Sequence, residues 1–268
     1  MSNHEYVHGY SDREMERLYD QANALTQLLH HDSIYPAGDT VLEAGCGVGA
    51  QTVILAGNNP RAKITSVDIS PDSLSQARAL VASKNITNVT FQQADLYRLP
   101  YADGSFDHVF VCFVLEHLAD PTDALIALQR VLKPGGTLTA IEGDHGSAYF
   151  YPDSPAAKKA IGCLVELQKR MKGDSEIGRR LYPLLVQSGL KNVRVSPRMV
   201  YVDASRPNLV EGFTKNTFTA MVEGIRDQAL AQNLIDEPTW NQGIKDLYRT
   251  AANDGTFCYT FFKAVGTK

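Results

Sequence analysis

The stretch most able to do chemistry is a glycine-rich turn, VLEAGCGVGAQT, at 41–52. Gly45, Gly47 and Gly49 allow the backbone to approach a ligand closely. A helix that begins directly after them would aim unpaired N–H groups and the positive end of its dipole at an anionic group. The turn therefore predicts a site for a ligand that carries a carboxylate or a phosphate. By itself it does not say which ligand, because Gly45, Gly47 and Ala50 also satisfy the dinucleotide pattern G-x-G-x-x-A.

Three acidic residues accompany this turn. Asp68 ends a predicted strand about 20 residues after the glycines, where a carboxylate can accept hydrogen bonds from ribose hydroxyls. Asp95 ends the next predicted strand, with Leu96 beside it, and Glu43 stands in the strand before the turn. The spacing of Asp68 fits either NAD or S-adenosylmethionine (SAM).

Two later loops carry groups that could act on a substrate. His145 follows Asp144 in a glycine-flanked loop, where a neutral imidazole could take a proton and a carboxylate could orient it. Tyr149 and Tyr151 extend that loop with aromatic surface, and His117 lies in an earlier loop. Alternatively, His145 stabilises its own loop. His117 could instead pack and form hydrogen bonds around a cofactor, and the two tyrosines could pack against the covering helices.

These groups need elements that hold them, and the chain from Thr40 to Glu142 supplies a legible pattern. Short β-type runs alternate with amphipathic helices, as in a parallel sheet covered on both faces. Helix starts are marked by a proline directly after Ser70 and again after Asp120. The segment LKPGG (132–136) is expected to break the chain before the fifth strand. The predicted strands are TVLEA (40–44), KITSVD (63–68), VTFQQA (89–94), FDHVFVC (106–112) and TLTAIE (137–142).

Outside this core the signals are weaker. A capping box at Ser11 and Glu14 predicts a first helix that reaches His31. Further helices are expected near 156–171, 176–188 and throughout 208–253, and strands at 191–196, 199–203 and 256–265. We predict one domain, 1–268, made of a helical cover (1–38), a cofactor-binding core (39–146) and a substrate-side half (147–268) with a helical insertion at 205–253.

Composition narrows the classes of partner. A formal net charge of −4 leaves no excess of basic residues to neutralise a phosphate backbone, so nucleic acid is disfavoured. The start lacks a basic segment leading into an apolar one, and no stretch is long and apolar enough to span a membrane, which predicts a cytoplasmic protein. The four cysteines stand far apart, without the spacing of a zinc site, and are expected to be reduced thiols that bind no metal.

Four segments in order resemble the class I SAM-dependent methyltransferases, most closely the UbiE-like "methyltransferase type 11" group. They read VLEAGCGVG, ITSVDISPDSLSQAR, ADLYRLPYADGSFDHVFVCFVLEHLADP and RVLKPGGTL, within 40–142. Four ordered motifs are more specific than one glycine pattern. The resemblance implies a Rossmann-like, doubly wound α/β fold with a helical cover. Its seven-stranded sheet would have the order 3-2-1-4-5-7-6, with the last strand antiparallel.

The resemblance also implies roles for individual residues. Glu43 and the loop 45–49 would hold the methionine end of SAM, Asp68 its ribose hydroxyls, and Ile69 would pack on adenine. The cofactor-binding set predicted in this way is Glu43, Gly45, Cys46, Gly47, Gly49, Asp68, Ile69, Asp95, Leu96, Cys112 and Tyr10.

Within this set, Asp95 would accept a hydrogen bond from the adenine amino group, and Leu96 would donate a backbone N–H. Related enzymes fold the segment before the core over the cofactor, which brings in Tyr10 and also His8. Disorder of that segment is the alternative.

The predicted function is methyl transfer from SAM to a small molecule, with S-adenosylhomocysteine (SAH) as second product. Orienting the nucleophile is the main task, and a base is needed only for an acceptor that must lose a proton. His145 is the predicted catalytic base, with His117, Asp144, Tyr149 and Tyr151 on the substrate side. Oxygen, nitrogen, sulfur and carbon acceptors stay open, and the sequence indicates no oligomeric state. Alternatives are a SAM-binding sensor or partner subunit without catalysis, a methyltransferase for protein or tRNA, and a nicotinamide-dependent oxidoreductase.

Overall fold

The computed structural model describes residues 25–268. Tyr10, His8 and the predicted capping box at Ser11 and Glu14 lie outside the described residues. Among the described residues, no helix is long and apolar enough to cross a membrane.

Helices and strands alternate through the first half of the described chain, and helices dominate later. The helices are α1 (25–30), α2 (Ala50–Asn58), α3 (Pro71–Ser83), α4 (Pro121–Val131), α5 (Pro155–Arg170), α6 (Leu181–Gln187), α7 (Pro207–Leu209), α8 (Ala220–Glu223), α9 (Arg226–Ala231) and α10 (Glu237–Arg249). The strands are β1 (Thr40–Ala44), β2 (Lys63–Asp68), β3 (Val89–Gln93), β4 (Phe106–Cys112), β5 (Leu132–Gly143), β6 (Tyr149–Tyr151), β7 (Lys191–Val202) and β8 (Thr256–Thr267). A π-helix (Val210–Thr219) joins α7 to α8.

The chain divides into two compact units. The larger unit contains Thr26–Gly143, Ile177–Arg198 and Phe261–Lys268, and the smaller one contains Asp144–Glu176 and Met199–Thr260. The expected boundaries of cover, core and substrate-side half stay predictions, as does the single domain.

The strand order confirms the predicted α/β fold. Hydrogen bonds give the order β3-β2-β1-β4-β5-β8-β6, and β7 pairs with β8. Strands β1 to β5 pair in parallel and β8 is antiparallel to β5, as expected of the last strand. The order is close to the predicted one, with β8 and β7 as its seventh and sixth strands. The short strand β6 is an addition that the sequence analysis missed, because three residues show no periodicity.

Two expected breaks lie inside strands. The segment 132–136 belongs to β5, and the register shifts within it, since Phe106 pairs with Leu132 but His108 with Thr137. An added Cβ at Gly136 would lie 2.6 Å from the backbone oxygen of Asp107, so the strands approach closely at this irregularity. Likewise, the runs predicted at 191–196 and 199–203 form the single strand β7, which includes Pro197. Proline is tolerated in a strand that does not need its N–H for pairing.

The helix starts were predicted correctly. The Ser70 side chain accepts a hydrogen bond from the backbone N–H of Ser73, and Pro71 opens α3. Asp120 accepts from the N–H of Asp123 in the same way at the start of α4. These caps fix where α3 and α4 leave the ends of their preceding strands.

The faces of the larger unit's sheet differ in polarity. One face is apolar and packs with α4 and α6, through a cluster that includes Leu42, Val109, Leu138, Leu128 and Leu184. The opposite face carries buried polar groups, because the register aligns Glu43 with Ser66 and Phe110, and aligns Thr139 with Phe110. Lys263 on β8 pairs with Ile141 on this face and is also buried.

The smaller unit is mainly helical, as expected for 208–253. Its core is aromatic, and α5 and α10 pack so closely that an added Cβ at Gly243 would lie 2.6 Å from the backbone oxygen of Ala156. Strand β6 pairs with the first residues of β8, Thr256–Cys258. The fully buried aromatic side chains of this unit are Phe213, Phe218, Phe257 and Trp240.

Candidate functional site

The glycine turn after β1 has three glycines in the left-handed region, each for its own reason. Gly45 has φ 74°, and an added Cβ would lie 2.7 Å from a methyl of Val114. Gly49 has φ 86°, and its Cβ would lie 3.0 Å from the Cα of Ala77 on α3. Gly47 has φ 52°, and its Cβ would meet no atom of residues 25–268 within 4 Å. Gly45 and Gly49 therefore serve close packing, whereas Gly47 faces open space that a ligand can occupy.

Asp68, at the end of β2, ties the glycine turn to α3. Its Oδ2 accepts a hydrogen bond from the N–H of Gly47 (2.8 Å), and its Oδ1 accepts from the N–H of Ser70 (2.9 Å). Burial raises the pKa of Asp68, and hydrogen bonds from the backbone N–H groups of Ser70, Gly47 and Ile69 oppose the rise. Each carboxylate oxygen has a second lone pair, so both can still accept from a ligand hydroxyl.

The residues expected around adenine lie at the ends of β2 and β3. Ile69 follows Asp68 and is 49% exposed, which is unusual for an isoleucine next to a buried strand. Asp95 caps a short helical turn, and its Oδ1 accepts from the N–H of Tyr97 at 2.9 Å. Leu96 is buried. The N–H of Ala94 donates to the backbone oxygen of Asp68 (3.0 Å), which holds the two strand ends together.

Glu43 is fully enclosed beneath the glycine turn. Its Oε2 accepts hydrogen bonds from the hydroxyls of Thr52 (2.7 Å) and Ser66 (2.6 Å). Burial raises the pKa of Glu43 to about 7, against the effect of those two hydrogen bonds. The carboxyl thus links β1 to β2 and α2.

The two cysteines of the predicted set are buried thiols. Burial raises the pKa of the Cys46 thiol and that of the Cys112 thiol well above the usual range, and nearby carboxylates add to the effect. A thiol is a nucleophile only as thiolate, so neither group is suited to covalent catalysis. All four cysteines are free.

The loop after β4 lies against the glycine turn through Val114. Phe113 has φ 57°, a strained conformation for a bulky residue. The N–H groups of Val114 and Leu115 donate to Oε1 of Glu142, at 3.0 and 2.8 Å. His117 lies at the end of this loop, with its Nε2 at 3.5 Å from Oε1 of Glu116.

In the smaller unit, His145 is held by its neighbours. Its Nδ1 lies 2.7 Å from the Tyr259 hydroxyl, its ring meets Phe218 edge to face, and its N–H donates to the backbone oxygen of Ser175. The residue is buried, and these contacts favour the loop-stabilising alternative. That His145 is the catalytic base stays a prediction.

The other predicted substrate-side residues of this unit differ in exposure. Asp144 is buried and accepts a hydrogen bond from the N–H of Gly146 (3.0 Å). Tyr149 and Tyr151 are 69% and 60% exposed.

The larger unit brings the predicted cofactor residues within 43–112 to one edge of the sheet. Glu43 to Gly49, Asp68 and Asp95 follow or end adjacent strands, and the crevice at the carboxyl ends of β1 and β4 is where the strand order reverses. Ligands of open α/β sheets bind at such a switch point. The contributions of Val114 and Glu142 are not predicted by the sequence, because a valine in a loop and a glutamate near a strand end have no distinctive pattern.

A family comparison confirms what this geometry indicates. Residues 42–140 match a family described as "Methyltransferase domain". Residues 42–140 form a methyltransferase domain. The resemblance to class I SAM-dependent methyltransferases seen in the sequence motifs is thereby confirmed.

Curated relatives of the methyltransferase domain include enzymes with named small-molecule substrates. The chain is 29% identical over 227 residues to 27-O-demethylrifamycin SV methyltransferase of Amycolatopsis mediterranei, covering 83% of this chain and 76% of that protein. It is 32% identical over 143 residues to demethylmenaquinone methyltransferase of Lactococcus lactis, covering 50% and 57%. The chain spans 57%, 43% and 34% of the lengths of three further curated relatives, which are uncharacterised.

Solved structures share the fold. A Haemonchus contortus phosphoethanolamine N-methyltransferase 2 in complex with SAH aligns with a TM-score of 0.56 and 18% identity, over 93% of this chain and 52% of that one. A second structure of that enzyme holds SAM. The [4+2]-cyclase SpnF aligns with a TM-score of 0.54 and 20% identity, over 93% and 81%. The family match and the shared fold support SAM as the cofactor, whereas the residues of this chain that would hold it remain predictions.

Proposed function

We propose that this protein is a methyltransferase that uses SAM to methylate a small molecule and releases SAH. The observation that carries the proposal is the clamp at Asp68. One carboxylate fixes both the glycine turn and the start of α3, directly beside the open space at Gly47 and the exposed Ile69. This combination of an acceptor for ribose hydroxyls, an uncovered backbone and an apolar surface matches the chemical parts of SAM.

The geometry supports the predicted contacts of the glycine turn, Asp68, Ile69, Asp95 and Glu43. Among the described residues, the turn leaves open space at Gly47 for the amino-acid end of the cofactor, and Asp68 offers lone pairs to the ribose. Ile69 offers the exposed apolar surface that an adenine ring needs, and Asp95 stands at the end of the neighbouring strand. Glu43 supports the turn from below through Thr52 and Ser66. SAM would supply an electrophilic methyl group on a sulfonium, so the protein's task is to orient the acceptor and exclude water.

A small-molecule acceptor is supported by the relatives, which are named for a rifamycin and a menaquinone precursor. The net charge of −4 does not favour a nucleic-acid acceptor. The atom that is methylated stays open. His145, His117, Asp144, Tyr149 and Tyr151 remain the proposed acceptor-side residues.

The test is calorimetric titration of the purified protein with SAM, SAH and NADH, on the wild type and on Asp68→Ala. Micromolar binding of SAM and SAH is expected, together with a loss of at least about tenfold in Asp68→Ala, since each buried hydrogen bond to a charged group contributes roughly 1.5–3 kcal/mol. Asp72→Ala is the matched control, because Asp72 is an exposed acid in the first turn of α3. Binding of NADH without any response to SAM would contradict the proposal.

One observation favours a second candidate. The fold is shared by a protein titled as a [4+2]-cyclase, so it does not by itself establish methyl transfer. A SAM-binding protein without methyl transfer is the alternative. Incubation with SAM and metabolite extracts, followed by mass spectrometry, separates the two, because only a methyltransferase gives SAH together with a product one methyl group heavier.

A further inference from the structure

The loop after β4, residues 113–117, needs an explanation for its stability. Phe113 is held at φ 57°, where a bulky side chain is strained. Such strain persists only when surrounding contacts over-determine the backbone. The N–H of Phe113 donates to the backbone oxygen of Ile141 (2.9 Å), which fixes the first residue of the loop. The following residues need another anchor.

Glu142, near the end of β5, supplies that anchor. Its side chain is 0% exposed, and its Oε1 accepts hydrogen bonds from the N–H groups of both Val114 (3.0 Å) and Leu115 (2.8 Å). Buried backbone N–H groups that lose their acceptor pay a desolvation penalty. Without this carboxyl, the middle of the loop would have two such groups.

The second oxygen of Glu142 indicates its protonation state. Among residues 25–268, no hydrogen-bond donor reaches Oε2, although the atom is buried. Burial and then the nearby Glu116 carboxylate raise the pKa of Glu142 well above its usual range, against the effect of the N–H groups of Leu115, Val114 and Glu116. Because Oε2 receives no hydrogen bond from the described residues and Glu116 is nearby, the neutral, protonated form of Glu142 is favoured over the carboxylate.

The loop contacts the glycine turn directly, through Val114. The two methyl groups of Val114 lie 2.7 and 2.9 Å from the Cβ that Gly45 lacks. Val114 therefore sits directly on the backbone of the turn. A shift of the loop would alter the space over 45–49.

We propose that Glu142 is a positioning residue of the cofactor site, and that it holds the loop 113–117 against the glycine turn as a neutral carboxylic acid. The proposal rests on the proposed function, since it assigns the turn to the cofactor. Glu142 touches the loop backbone and acts on the cofactor only through Val114. Its neutral form matters because a glutamine has the same shape, keeps one acceptor oxygen and carries no charge.

The variants Glu142→Gln and Glu142→Leu separate these features. Glu142→Gln keeps the acceptor and is expected to bind SAH within about twofold of the wild type. Glu142→Leu leaves the N–H groups of Val114 and Leu115 without an acceptor and is expected to weaken SAH binding by at least about tenfold. The control is Val131→Ala, a buried truncation next to the first residue of β5, which lowers stability and leaves the affinity for SAH unchanged.

Isothermal calorimetry with SAH provides the measurement. Wild-type affinity in Glu142→Leu would overturn the proposal, and so would a Glu142→Gln protein as weak as Glu142→Leu. If Glu142→Leu does not fold, Glu142→Asp takes its place, because a side chain shorter by one methylene withdraws the acceptor. Weakened SAH binding is then expected, and undiminished binding overturns the proposal.

Amide hydrogen exchange distinguishes failure of this inference from failure of the proposed function. If the wild type binds neither SAM nor SAH, the proposed function fails, but the loop can still be observed. The amides of Val114 and Leu115 are expected to exchange slowly in the wild type and in Glu142→Gln, and faster in Glu142→Leu or Glu142→Asp. Equal rates in all variants would show that Glu142 does not hold the loop.

Discussion

Two buried ionisable side chains of the larger unit, His30 and Glu43, affect the pH dependence of the free energy of unfolding in opposite directions. Among the described residues, neither ring nitrogen of His30 has a partner in hydrogen-bond geometry. Burial, and then the charge of Lys263, lower the pKa of His30 to about 4. Burial raises the pKa of Glu43 to about 7. Between pH 4.5 and 6.5 the folded protein therefore holds a neutral imidazole and a protonated carboxyl, whereas the unfolded chain has both groups charged.

The two effects cancel in the wild type and should appear when one group is removed. In His30→Gln only Glu43 remains, whose raised pKa makes the free energy of unfolding fall as the pH rises from 4.5 to 7. In Glu43→Gln only His30 remains, whose lowered pKa makes that free energy rise with pH between 4 and 6.5. Relative to the wild type, each slope approaches about 1.4 kcal/mol per pH unit, with opposite sign. Urea unfolding at a series of pH values measures both, and curves parallel to the wild type would contradict the expectation.

Glu43, Asp68 and His145 show which features of single residues can be predicted from the sequence. The spacing of Asp68 and the resemblance for Glu43 predict a cofactor site, and the structure places the two residues near the ends of β1 and β2. The partners of Glu43 could not be predicted, because Thr52 and Ser66 reach it from another helix and another strand. The engagement of His145 by Tyr259 depends in the same way on a residue far along the chain.

At the scale of elements, two glycines of α2 offer a matched comparison. Gly49 caps the helix at φ 86°, and an added Cβ would lie 3.0 Å from both the Cα and the Cβ of Ala77. Gly57 lies near the end of α2, and a Cβ there would meet no atom of the described part of the chain within 4 Å.

One substitution at both positions should act in opposite directions. Gly49→Ala is expected to lower the free energy of unfolding by roughly 1–3 kcal/mol, through left-handed strain and the displacement of α3. Gly57→Ala is expected to raise it by about 0.5–1 kcal/mol, because alanine has a higher helix propensity than glycine. Chemical denaturation of the two variants checks this, and a destabilised Gly57→Ala with an unaffected Gly49→Ala would refute it.

Elements with local start and stop signals were predicted almost to the residue. β1, β2 and β4 have the predicted bounds, and the prolines after Ser70 and Asp120 begin α3 and α4. Elements that depend on pairing were not. LKPGG predicts a break before the fifth strand, yet β5 already begins at Leu132, which pairs with Phe106, and its pairing with β4 resumes at Thr137. Pro197 suggests two strands, yet β7 passes through it.

At the scale of the whole molecule, the structure of the larger unit could be predicted from the sequence better than that of the smaller unit. The larger unit consists mostly of the βα repeats whose periodicity is visible in the sequence, and four family motifs lie in order along it. The smaller unit has helices without such motifs, and its aromatic core joins residues from distant segments.

The π-helix at Val210–Thr219 has a consequence for how the length of this chain can change. Phe213 and Phe218 are five residues apart, and both contact Phe257 and Tyr259, as side chains at that separation can when hydrogen bonds run from i to i+5. In an α-helix, side chains four apart share a face. Deleting the exposed Asn216 would bring the two phenylalanines to that separation and convert the segment to an ordinary helical pitch.

We therefore expect the chain to tolerate the loss of Asn216 better than the loss of Lys159, an exposed residue of the regular helix α5. Deletion in α5 rotates Ala160, Ile161 and Leu164 away from their buried positions or forces the helix to distort. The variant that lacks Asn216 should keep the circular-dichroism spectrum of the wild type. It should also unfold at a higher urea concentration than the variant that lacks Lys159, and the reverse ranking would argue against this account. The extra residue of the π-helix is then a position at which a homologue could be one residue shorter without a change in the aromatic core.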